Sequence, residues 1–138
     1  MATFTNYQPT IYDDCITHVK VWKDIQEYIP KDKDIWCPFY YKGTHTLRDL
    51  GYEIIHNNED FFETDRGDVI IDNPPFSLKK RIVERLLEMK KPFILLMPVS
   101  TLCYNYMRNY RDKIQIIIPP KRINFAPELK SSASFDCL

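Results

Sequence analysis

Apolar residues along the chain fall into two alternating rhythms, one near helical spacing and one of short continuous runs. From about Asp13 to Tyr28, the positions Ile16, Val19, Val21, Trp22, Ile25 and Tyr28 recur as on one helix face, with Asp13 or Asp14 as N-cap and Pro30 as the stop. Asp34 to Phe39 predicts a short buried strand running into a loop, and Thr44 to Leu50 predicts a short helix closed by Gly51. Tyr52 to His56 predicts a second strand. After a polar turn at Asn57 to Asp60 and the pair Phe61-Phe62, Asp68 to Ile71 predicts a third. Ser77 to Met89 is amphipathic, with Leu78, Ile82, Val83, Leu86 and Leu87 inward and Lys79, Lys80 and Arg81 outward. The unbroken apolar run Pro92 to Met97 predicts a strand covered on both faces. Helical character returns from Thr101 to Tyr110, Ile114 to Ile118 predicts a fifth strand, and Ala133 to Leu138 reads as the opening of one more.

Strands alternating with helices predict an α/β fold, a mostly parallel sheet with helices on both faces and a ligand crevice at the carboxyl ends of its strands. Residues 1–30 read as an N-terminal arm and helix, and residues 31–138 as a single globular α/β unit. About a dozen residues separate the second and third strands, too few for a further helix, strand and helix at ordinary lengths, so the sheet is expected to be a trimmed one.

The 138 residues suffice for one domain with a core that needs no disulfide or metal staple. Acidic and basic side chains balance at 19 each, so no overall field draws the protein onto nucleic acid or a membrane, and a nucleic-acid partner has to be held by a local patch. Cys15, Cys37, Cys103 and Cys137 contain no Cys-x-x-Cys pair, which signals neither a zinc site nor a disulfide framework and predicts reduced thiols. The first residues lack the charged and apolar regions of a signal peptide, and no apolar run reaches membrane-spanning length. A cytoplasmic protein is expected, acting inside a host cell if it is viral.

Chemistry is most legible at Asp72-Asn73-Pro74-Pro75-Phe76, directly after the apolar run Val69-Ile70-Ile71. The two prolines fix φ and remove two N–H donors, so the turn is stiff and its carbonyls stay available as acceptors. An amide, a peptide carbonyl and a flat ring at one strand end form a clamp for a planar amino group.

The order of pieces resembles the Rossmann-like methyltransferases that use S-adenosyl-L-methionine, and most of all the N6-adenine amino-methyltransferases, whose signature is Asn-Pro-Pro-Phe or Asp-Pro-Pro-Tyr. The resemblance runs from about Ile35 onward, and Asn73-Pro74-Pro75-Phe76 is its strong match. It implies that Asn73 and the Pro74 carbonyl accept hydrogen bonds from the target amine, held by the rigid Pro74-Pro75 turn, while Phe76 stacks on an extruded base. It implies a cofactor loop at Pro38, Phe39 and Gly43, a ribose contact at Glu59 beside His56, Asn57 and Asn58, and an adenine contact at Asp60 and Phe61. Two departures stand out: Cys37 replaces the acid that opens the cofactor loop, and bulky residues between Phe39 and Gly43 fill one of its glycine positions.

The resemblance implies methyl transfer to an exocyclic amine, N6 of adenine in DNA or RNA, with a glutamine side-chain amide as a second substrate for the same clamp. A methyltransferase-like binding or structural module without catalysis is the competing expectation, and a nucleotide-binding module the third. Nucleic acid is the expected partner, alongside a homodimer or a partner subunit and no membrane. Lys79, Lys80, Arg81, Lys90, Lys91, Lys121 and Arg122, with Tyr104, Tyr106 and Tyr110, outline a candidate phosphate-tracking surface, although the first three also fit an ordinary solvated helix face.

Overall fold

Residues 69–72 read Val-Ile-Ile-Asp, three β-branched residues that favour a pleated, fully enclosed strand and a closing acid, and they form the longest strand of the protein's sheet. In the computed structural model, which describes residues 19–39 and 45–120, four parallel strands are joined. They are β1 (Ile35–Trp36), β2 (Ile54–Ile55), β3 (Val69–Asp72) and β4 (Phe93–Leu95), and their spatial order is β2-β1-β3-β4. Ile35 pairs with Ile54 on one side and Val69 on the other, and Asp72 pairs with Leu95.

Alternation along the strands separates two cores, one on each face. Ile35, Cys37, Val69 and Ile71 pack with Trp22 of helix α1 (Val19–Asp24) and with Ile25, Ile29 and Leu47. Trp36 and Ile70 pack on the opposite side with Ile82 and Leu86 of helix α2 (Lys79–Met89), and with Phe39 and Phe61. Helices therefore cover both faces, as an all-parallel sheet requires.

The chain moves from β1 outward to β2, then returns past β1 to place β3 on its other side. No helix or strand occupies residues 56–68, in keeping with the trimmed sheet expected from the short spacing. That return ends at Gly67, whose φ is +64° and where an added Cβ would sit 2.8 Å from the Asp34 carbonyl oxygen. The tightness has a purpose: the same carbonyl accepts from the N–H groups of Asp68 and Val69, at 2.7 and 3.2 Å, and so sets β3 against β1.

The helix expected to run to Tyr28 ends at Asp24 and gives way to a 3-10 turn, Gln26–Tyr28, with Tyr28 exposed, and two further elements differ. Thr101 to Tyr110 is a series of short 3-10 turns, Val99–Cys103 and Asn105–Met107, broken by Tyr104 in an extended conformation, φ −71° and ψ 144°. Ile114 to Ile118 is no strand: after the extended Ile114 it joins no ladder, and Ile114 to Ile117 line a cavity together with β4. An apolar cavity of about 140 Å³, lined by Leu95, Met97, Leu102, Met107, Ile116 and Ile117, opens along this side of β4. The expected N-terminal arm, the final strand, and Lys121 and Arg122 lie outside the described residues. Among the described residues no helix is long and apolar enough to cross a membrane.

Candidate active site

A sheet that grows first to one side of β1 and then to the other has a topological switch point between the carboxyl ends of β1 and β3, the place where open α/β sheets bind their ligands. The segments emerging there are Cys37-Pro38-Phe39 from β1 and Asn73-Pro74-Pro75 from β3.

Asp72 ties these two segments together. Its Oδ2 accepts from the Phe39 N–H at 2.7 Å, and its Oδ1 accepts from the Asn73 N–H at 2.8 Å. A third donor arrives from His45, whose Nε2 lies 3.0 Å from Oδ1. The Leu47 N–H donates to His45 Nδ1 at 3.1 Å, so Nδ1 carries no hydrogen and the ring proton sits on Nε2, facing the carboxylate. Trp22 stacks on the imidazole at 5.7 Å between centroids and donates its indole N–H to Thr46 Oγ1 at 3.0 Å, which fixes the ring from α1. A carboxylate with 1 % exposure is costly without partners, and three convergent donors meet that cost.

Cys37 lies beside this group. Its thiol donates to the Ile71 carbonyl at 3.1 Å, and burial, followed by the nearby Asp72 charge, pushes its pKa far up, so it stays a neutral thiol. Donor atoms of Cys37, His45 and Asp72 lie within 4.8 Å of one another, a spacing that a metal ion could use. The hydrogen placement opposes it. A ligating Nε2 would need its proton moved to Nδ1, where the Leu47 N–H already points, and Sγ would have to lose the proton it gives to Ile71.

No family model, no curated protein and no solved structure matches the chain. Geometry and chemistry therefore bear the functional reading.

Of the residues expected at the target amine, Pro74 and Pro75 are buried and Asn73 is half-buried, with its carboxamide oxygen shielded from solvent. The Pro75 carbonyl accepts from the Leu78 N–H at 3.0 Å, so the turn into α2 uses it. Phe76 opens the 3-10 turn Phe76–Leu78; its ring lies outside the described atoms.

Among the residues expected at the cofactor, Pro38 and Phe39 are buried at the end of β1, and Gly43 lies outside the described residues. Asp60 caps the turn that follows it: Oδ1 accepts from the Phe62 N–H at 2.9 Å, and its main-chain carbonyl accepts from Thr64 Oγ1 at 2.8 Å. Its other oxygen, Oδ2, is buried with no hydrogen-bond partner among the described residues. Phe61 is fully enclosed, with Phe39 at 4.7 Å and Trp36 at 5.6 Å between ring centroids, and belongs to the core that backs this turn. Glu59 faces outward and forms a fork with Arg66, Nε to Oε1 at 3.1 Å and the second nitrogen to Oε2 at 2.8 Å. That pairing holds the Glu59 carboxyl below its usual range.

Two histidines carry roles that sequence reasoning missed. His45 holds the Asp72 carboxylate, and His56, expected only near the ribose, donates from Nδ1 to the Cys37 carbonyl at 2.9 Å, clasping the ends of β1 and β2. An acid closing an otherwise apolar run was the available signal, since Asp72 had to be buried and therefore had to be paired.

Proposed function

We propose that the chain is an S-adenosyl-L-methionine-dependent amino-methyltransferase of trimmed Rossmann-like fold, acting on N6 of adenine in DNA or RNA. One observation carries the reading: the Asn73-Pro74-Pro75 corner and the Phe39 loop stand side by side at the switch point, bound to the same Asp72 carboxylate. An amine clamp and the loop expected to seat a methyl donor are thereby adjacent, which a chance Pro-Pro turn would not require.

The residues present fit that cofactor at Asp60, whose buried and unpartnered Oδ2 is an acceptor of the kind an adenine amino group satisfies. Pro38 and Phe39, at the end of β1, are the residues of the expected cofactor loop that the structure describes. When bound, S-adenosyl-L-methionine supplies a methyl group activated by its sulfonium centre. The protein's part is positioning. Asn73 Oδ1 and the Pro74 carbonyl accept the two N–H bonds of the target amine and turn its lone pair toward the crevice, and the stiff diproline holds both acceptors in place. Asn73 takes no proton.

Three observations favour the alternative, a methyltransferase-like module without catalysis: the neutral Cys37 where the resembling family has an acid, the engagement of Glu59 by Arg66, and the enclosure of Phe61. Calorimetric titration with S-adenosyl-L-methionine separates the two. Saturable 1:1 binding below millimolar concentration supports the enzyme, and a flat titration at millimolar ligand overturns it.

A further inference from the structure

The basic first turn of α2 does not simply face water. Lys79, three residues beyond Phe76, places its ammonium 4.8 Å from the centroid of the Tyr104 ring, which belongs to the turns that follow β4. Tyr104 is 41 % exposed and lies nearly parallel to Tyr106, 10° between planes and 5.6 Å between centroids. Arg111 holds this segment by donating from two guanidinium nitrogens to the Leu102 carbonyl, at 3.0 and 2.7 Å, and Lys113 sits 5.9 Å from the Tyr110 ring. Because β3 and β4 are paired from Ile70 to Asp72, both segments leave the sheet at the same edge as the Asn73-Pro74-Pro75 corner.

We infer that this surface binds single-stranded nucleic acid, with Tyr104 as the stacking plate for a base flanking the target and Lys79 as a phosphate contact. The inference takes from the proposed methyl transfer only the identity of the neighbouring site. Two parallel tyrosine rings make a plate that accepts any base, and interleaved cations follow the backbone; single-strand binders combine these two elements. An aromatic face open to solvent is a poor resting place for apolar surface, and the Lys79 ammonium covers it in the free protein. A cation over an exposed ring is held more weakly than a stacked base, so a base displaces the ammonium, which then turns to the adjoining phosphate. The chain's zero net charge makes such a local arrangement necessary, since no global field supplies the attraction.

Fluorescence anisotropy of a labelled mixed-sequence 12-mer tests this without any methyl donor, using the full chain with single-stranded DNA, single-stranded RNA and duplex DNA as separate arms. The expected result is single-strand binding that weakens with salt, is lost about tenfold in Tyr104→Ala, and is retained in Tyr104→Phe. Lys79→Ala should flatten the slope of log affinity against log salt by about 0.7, the value for one phosphate contact on a single strand. Tighter binding to duplex than to single strand, equal affinity in Tyr104→Ala and the parent, or no binding at low salt overturns the inference. A protein that binds oligonucleotides through Tyr104 yet shows no heat with S-adenosyl-L-methionine refutes the enzyme and leaves this surface standing.

Discussion

His45 Nε2 lies 3.0 Å from Asp72 Oδ1, joining two buried side chains that are 27 residues apart in the chain. Since Leu47 fixes the imidazole tautomer and Phe39 and Asn73 complete the carboxylate's shell, the contact is one link of a closed network rather than an isolated pair. Its position matters more than its strength. The network joins α1 through Trp22, the loop after β1 and the corner after β3, so the placement of these three segments depends on a single carboxylate.

Asp72→Asn puts an amide N–H₂ among three donors and leaves at least one of them without an acceptor. The expected cost is about 2–3 kcal/mol, read as a lower urea midpoint at unchanged slope. Asp65→Asn, which removes only the surface partner of Lys91, is expected to cost about 0–1 kcal/mol. Equal effects would show that the Asp72 network contributes no more than a surface pair.

Cys37 gives a pH dependence whose sign follows from its raised pKa. The unfolded chain ionises this thiol above about pH 8.5, whereas the folded protein holds it neutral. The stability that it contributes is complete below that pH and declines as pH rises, by about 1.4 kcal/mol per unit for this one group. Cys37→Ser keeps a donor to the Ile71 carbonyl and removes the titration, so unfolding free energies measured at pH 8.5 and 9.5 should fall by about 1 kcal/mol less in the variant. Parallel pH profiles for parent and variant would contradict this.

Asp60→Asn separates folding from ligand binding. Its Oδ1 still caps the Phe62 N–H, and a buried charge with one unpartnered oxygen is removed, so stability should hold or rise. Affinity for S-adenosyl-L-methionine should fall tenfold or more, because an amide N–H₂ now opposes the adenine amino group, a change of about 1.5–3 kcal/mol. Calorimetry and urea unfolding on the same preparation read both.

What was legible in the sequence was what is local. β3 and α2 were marked by strong periodic patterns, and their bounds lie within a few residues of the expected ones. The Asn73-Pro74-Pro75 corner was legible because proline dictates backbone geometry by itself. Ile114 to Ile118 misled, since an apolar run supplies the residues of a strand but not its partner, and along β4 a cavity takes the partner's place. Thr101 to Tyr110 misled for lack of a sustained apolar stripe, and the extended Tyr104 divides it. His45 and Asp72 escaped notice as a pair because their meeting is a product of the sheet order, which brings β3 beside β1 after the detour through β2.

Along α2, Lys79 lies over Tyr104 and Arg81 over Phe62 at 4.3 Å, and Arg85 donates to the Thr64 carbonyl at 3.1 Å, while Lys80 and Arg81 stay exposed, as on the solvated helix face that was the other expectation.

The most direct test of the central claim is transfer of a labelled methyl group from S-adenosyl-L-methionine to a single-stranded oligonucleotide, comparing the full chain with Asn73→Ala. The account predicts labelling that requires adenine, vanishes when adenine is replaced by purine without its amino group, and drops at least about 100-fold in the variant. Labelling by the variant at the parent's rate, or an unlabelled oligonucleotide after incubation of the parent with saturating donor, would contradict it.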